Sequence, residues 1–133
     1  MTDVAGAQQT PVNKAAEARA GVHELLSAHR PRIGELSMID ALLVTSELVT
    51  NAQRHGNGLS GFSARIVADR LEVTVADRSR RQPATAVGRE KYAVGGYGWS
   101  MIQQLTACVV IIPTAGGKAI TVTLPITFDR APE

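Results

Sequence analysis

The hydrophobic period of this chain changes near Gly56, and that change constrains the fold more than any other feature. Before it, Met38, Ile39, Leu42, Leu43, Leu48, Val49 and Ala52 recur at helical spacing as far as His55, as on a helix with one apolar face. After it, Phe62, Ala64, Ile66 and Ala68 alternate with Ser63, Arg65, Val67 and Asp69, and then Leu71, Val73 and Val75 alternate with Glu72, Thr74 and Ala76. That is the period of strands with one buried face. A chain that houses both periods in 133 residues has room for one core of mixed class.

The remaining elements follow from the same signals. Ala15, Ala18, Val22, Leu25 and Leu26 predict an earlier helix from Lys14 to about His29, stopped by Pro31. The second helix starts near Glu35 or Ser37 and closes at Gly56, a residue that readily takes the left-handed conformation used past helix ends. Asp69-Arg70 predicts a tight turn between two antiparallel strands. From Arg78 to Gly95 the pattern fails in a long polar connection, the kind of loop that compact domains keep as a lid or binding segment. Met101, Ile102 and Leu105 mark a short helix beyond Gly98, and Val109 to Ile112 and Ala119 to Leu124 form a second hairpin around Pro113 to Lys118. The order predicts an α+β two-layer sandwich, with helices packed on one face of a mixed, mainly antiparallel sheet. Residues 1–13 are small and polar and are expected to form a loose N-terminal arm before a single domain over 14–133.

Charge and cysteine usage narrow the partners. The net charge of +2 comes from 14 basic residues scattered among 12 acidic ones, which offers no basic patch for nucleic acid. No apolar stretch approaches the roughly 20 residues of a membrane span, and the opening MTDVAGAQQTP has no basic leader or apolar h-region. One cysteine, Cys108, cannot make an internal bridge, so a cytoplasmic location is expected.

Three constellations could carry chemistry. Glu47, Asn51 and His55 stand four residues apart on the second helix and drift only about 80° around its axis, so they share one stripe. A mid-helix Asn is a poor helix former. Beside a carboxylate it offers hard oxygen ligands and a general base, the equipment of Mg²⁺-assisted phosphoryl chemistry. A solvated helix face is the alternative, and zinc fits poorly because Asn is not a usual ligand. Gly95-Gly96-Tyr97-Gly98 stands just before a helix, where backbone N–H groups can face an anion; a flexible hinge is the alternative. Gly96 and Gly98 begin a GxGxxG match that breaks at Met101, and Gly117-Lys118 is followed by Ala119 where a Walker A needs Ser or Thr. Gly116-Gly117-Lys118 therefore reads as a hairpin turn. Asp77 ends an apolar strand at the mouth of the polar loop, as a ligand contact or simply as a turn starter.

Together, SELVTNAQRHG (Ser46 to Gly56), VTVADRS (Val73 to Ser79), GGYGWSMI (Gly95 to Ile102) and GGKAITVTLP (Gly116 to Pro125) resemble the motif series of the histidine-kinase-like ATPase fold. The likeness covers about Lys14 to Leu124, and it is closest to the small bacterial branch of anti-sigma-factor serine kinases and their ATP-binding relatives. The resemblance implies a Bergerat-type fold that binds ATP and Mg²⁺. It implies that Asn51 is the metal ligand, that Glu47 is the catalytic base toward a protein hydroxyl, and that Asp77 accepts from the adenine amino group. Gly96 and Gly98 match the second glycine box at the hinge of the lid, and His55 closes the stripe on the cofactor side. The implied role is an ATP-binding regulator in transcriptional control that phosphorylates or sequesters a sigma factor or an anti-anti-sigma (STAS-type) partner, with no direct nucleic acid or membrane contact and with homodimerisation open. The chain departs from the pattern at Ser79 and Arg81, where the family places glycines after the adenine-reading Asp. A non-catalytic protein-binding switch of the same fold is the alternative.

Overall fold

The computed structural model describes residues 4–8, 14–81 and 96–129. Eight elements follow in chain order: β1 (Val4–Gln8), α1 (Ala15–Ser27), α2 (Glu35–His55), β2 (Leu59–Val67), β3 (Arg70–Asp77), α3 (Gly96–Leu105), β4 (Cys108–Pro113) and β5 (Lys118–Pro125). They build the expected α+β arrangement, a helical layer on one sheet. The apolar faces explain the packing. Val22 and Leu26 of α1, Val44, Leu48 and Val49 of α2, and Trp99 and Ile102 of α3 are buried against Ile66, Leu71, Val73, Val75 and Val122 of the sheet. Each such aliphatic side chain contributes about 1.5 to 3 kcal/mol by leaving water. The opposite sheet face carries polar pairs, among them Thr74 and Thr121, whose hydroxyls lie 2.8 Å apart, and Arg65 with Glu72 at 2.8 Å.

The sheet has five strands in the order β1-β2-β3-β5-β4. It is not mixed: each pair is antiparallel. The reason lies in the return of β5. Strands β3 and β4, joined through α3, run in the same direction, but β5 inserts between them and pairs antiparallel with both. Part of the segment expected to be a loose arm is also a strand. Val4–Gln8 pairs with β2, and the pairing is made by main-chain groups, which leave little trace in a hydrophobic pattern.

Two turns differ in detail from expectation. The β2–β3 turn is Ala68-Asp69, one residue earlier than Asp69-Arg70, because Val67 pairs with Arg70; Ala68 takes a φ of 55°, the positive value needed at the first central position of a II′ turn. At the end of α2, Gly56 has a φ of −105° and is not left-handed. Asn57 (φ 58°) and Gly58 (φ 108°) reverse the chain instead, and Gly58 N–H returns to the Ala52 carbonyl at 3.0 Å.

Helix α2 spans the sheet from one end to the other. At its start, Gly34 N–H donates to Thr127 O at 2.8 Å and Thr127 N–H donates to Ser37 Oγ at 2.9 Å. At its finish, Arg78 N–H donates to Gly56 O at 2.8 Å. The second clamp fixes the C-terminal end of α2 against the end of β3. Among the described residues no helix is long and apolar enough to cross a membrane.

Candidate functional site

Asp77 is the last residue of β3, and its register sets what surrounds it. Leu59 of β2 stands opposite on one side and Lys118 of β5 on the other, with Pro113 of β4 beyond, so this row is one end of the sheet. Asp77 is 5% exposed, and the turn it starts through Ser79 is a part-buried one. Its Oδ1 accepts from Ser79 N–H at 3.0 Å and its Oδ2 meets Lys118 Nζ at 2.8 Å. Lys118 Nζ also donates to Ser79 O at 3.0 Å.

One glycine makes room for this carboxylate and a second for the backbone beside it. A Cβ on Gly56 would stand 2.6 Å from Asp77 Cγ, and one on Gly117 would stand 2.8 Å from both the Asp77 carbonyl carbon and Arg78 Cα. Real side chains do not approach so closely. Gly56 therefore ends α2 for lack of a side chain rather than for a left-handed backbone. Gly117 belongs to the hairpin turn, as its carbonyl accepting from Thr114 N–H at 2.9 Å shows, and it is also the wall behind Asp77.

The positions at which the family pattern has glycine are occupied by a self-bonded turn. Arg81 N–H donates to Ser79 Oγ at 3.1 Å, a local bond that a hydroxyl offers to a tight turn. The arginines alongside serve the scaffold. Arg78 Nη1 donates to Leu59 O at 2.8 Å, and Arg80 Nη2 donates to Thr114 O at 2.9 Å. These clamps tie the exit of β3 to the start of β2 and to the β4–β5 turn.

The stripe on α2 divides by exposure. Glu47 and Asn51 are half-buried and His55 is exposed. Asn51 Oδ1 is fully buried and has no hydrogen-bond partner among the described residues. Native interiors rarely leave an amide oxygen so, and each exception asks for an explanation; a cation or donor that arrives with a ligand supplies one. Thr45 Oγ1 is likewise unpartnered, but Thr45 lies on the core face of α2 among Ala41, Leu48 and Val49. His55 shares the last turn with Arg54, where positive side chains suit the helix dipole.

Helix α3 packs against α2 and begins at Gly96. Gly96 and Gly98 thus lie in its first turn rather than before it, and the N–H groups of a first turn have no partner within their helix. Gly95 and the segment expected to be a lid, residues 82–94, lie outside the described residues. Trp99, one residue on, is buried and anchors this turn to the core. No group of three or more His, Cys, Asp or Glu suited to a metal occurs among the described residues.

Sequence reasoning missed Lys118. It was read as part of a turn, yet it points inward and is 4% exposed. The signal was present in the sequence, since a lysine opening the apolar run Ala119 to Leu124 is out of place unless it has a buried partner. Only the β3–β5 register identifies that partner.

A family model of the histidine kinase-like ATPase domain matches residues 8–124. A search of curated proteins finds no match. The chain belongs to the histidine kinase-like ATPase domain family.

Proposed function

We propose that this histidine kinase-like ATPase domain binds ATP with Mg²⁺ and acts as a cytoplasmic regulator of the anti-sigma-factor serine-kinase kind, with a sigma factor or an anti-anti-sigma (STAS-type) protein as partner. The observation that carries the reading is Asn51 Oδ1, a buried acceptor without a partner, on the helix whose end packs against buried Asp77. The donor set fits the group. A hard amide oxygen suits Mg²⁺, which prefers one or two protein oxygens plus phosphates. A buried carboxylate beside the side-chain-free Gly56 suits the exocyclic amine of adenine.

Mg²⁺-ATP bound here would supply the γ-phosphoryl group and the neutralising charge for in-line transfer. The chain's own residues do the rest. Asp77 Oδ1 and Oδ2 each accept one bond already, and each keeps capacity for another. Gly56 and Gly117 leave room for the Asp77 side chain and backbone, and Asn51 Oδ1 would hold the metal. Glu47, one turn before Asn51 and half-buried, orients a Ser or Thr hydroxyl of the partner and accepts its proton at the carboxylate. The test is transfer from radiolabelled ATP to a serine-bearing STAS-type protein. Glu47→Gln is expected to keep ATP affinity and to cut transfer about 100-fold; unchanged transfer would remove Glu47 from the chemistry.

A second reading, a non-catalytic switch of the same fold, draws on Lys118, which already pairs with the carboxylate that would read the base. ATP binding with no transfer to any serine-bearing partner would favour it.

A further inference from the structure

The two edges of the sheet are built differently. At one edge β1 pairs with β2 through a register shift between Val4 and Gly6, an irregularity of the kind that discourages a further strand. At the other edge β4 pairs with β5 alone, and its register from Cys108 to Pro113 runs without a shift. An edge strand presents a row of unpaired main-chain N–H and C=O groups, which an extended strand can satisfy.

Lysines, bulges and mid-strand prolines keep natural edges apart, but β4 reads CVVIIP, with its proline only at the last position. Val110 and Ile112 are 44% and 56% exposed although both are large and apolar. Val110 stands opposite Thr121, on the sheet face turned away from the helices. From Gly96 to Gly117, through α3, β4 and the turn after it, the chain carries no charged residue, in a protein with 14 basic and 12 acidic ones. That gap points to the occupant. A different protein is usually selected by complementary charge. Beside a twofold axis each side chain faces its own copy, where any charge would meet its like. An uncharged, apolar, regular edge fits a second copy of this chain.

We infer that two copies pair antiparallel along β4, joining their five-stranded sheets into one continuous sheet about a twofold axis. Pro113 has no N–H to donate, which confines the run to Cys108–Ile112 and puts its middle residue, Val110, on the axis. Residues directly opposite across an antiparallel pair share a face, so Val110 meets the partner's Val110 and Ile112 meets the partner's Cys108. β4 carries none of the residues assigned to ATP, so the pairing stands apart from nucleotide binding.

Sedimentation equilibrium on the full chain tests the pairing. The wild-type chain is expected to be a dimer at micromolar concentration. Val110→Lys sets two like charges opposite each other and is expected to weaken association at least about tenfold, and Val110→Glu should do the same. The side chain is exposed, so both variants should fold, and circular dichroism checks that they do. Because residue 110 faces its own copy, mixing Val110→Lys with Val110→Glu is expected to restore the dimer. Oxidation of Val110→Cys in a Cys108→Ser background is expected to link the two copies, since opposed Cα atoms lie about 4.5 to 5.5 Å apart, within disulfide reach. A monomeric wild-type chain, a dimer that Val110→Lys leaves unchanged, or a mixture that associates no better than either variant alone overturns the pairing. A dimer that resists the linkage overturns the register at Val110.

Discussion

Half-buried Asn51 and buried Asp77 should answer mutation in opposite ways. Asn51 Oδ1 has no partner to lose, so Asn51→Ala is expected to hold its melting temperature or raise it, because an unmet buried acceptor is removed. Its Mg²⁺-dependent nucleotide affinity should fall. A thermal melt and a titration with and without Mg²⁺ check both halves, and a large loss of stability would mean that the oxygen is bonded in solution. Asp77 is the reverse case. Asp77→Asn strands the buried Lys118 ammonium, and breaking a buried pair from one side costs about 3 to 5 kcal/mol. Denaturant unfolding should show that cost, and weakened ATP binding in this variant has meaning only in protein shown to be folded. At this scale Glu47, Asn51 and Asp77 were visible in the sequence from residue type and spacing. Lys118 was not, because its meaning comes from a cross-strand neighbour 41 positions away, Asp77, and no local pattern encodes that pairing.

Helices and hairpins were legible because they follow from local periodicity, as α2 shows in running from Glu35 to His55 where the apolar stripe begins and ends. Strand order was not, because β5 inserts between β3 and β4 through pairings between segments far apart in the chain. The turns carry a prediction. Gly117→Ala forces a Cβ against the Asp77 and Arg78 backbone, where no flexible side chain can yield, and should destabilise by about 1 to 3 kcal/mol, the usual range for overpacking. Ala68→Gly, at a φ of 55°, should be neutral or stabilising by up to about 1 kcal/mol, since the left-handed cost and the glycine entropy cost nearly offset. Unfolding of the two variants side by side checks the contrast, and a stable Gly117→Ala would show that the β4–β5 turn can move away from Asp77.

Across the whole molecule, a polar-backed sheet and one helical layer bring the end of α2, the end of β3 and the start of β5 to the same rim, while the segment after β5 fastens the start of α2 at the other end. The rim is held by backbone bonds and arginine clamps. Calorimetric titration of ATP into the wild-type chain with and without Mg²⁺ tests most directly whether this rim takes ATP together with the metal. Saturable binding that tightens when Mg²⁺ is present, through Asn51, is expected. No binding heat at millimolar ATP, or equal affinity with and without the metal, would contradict it.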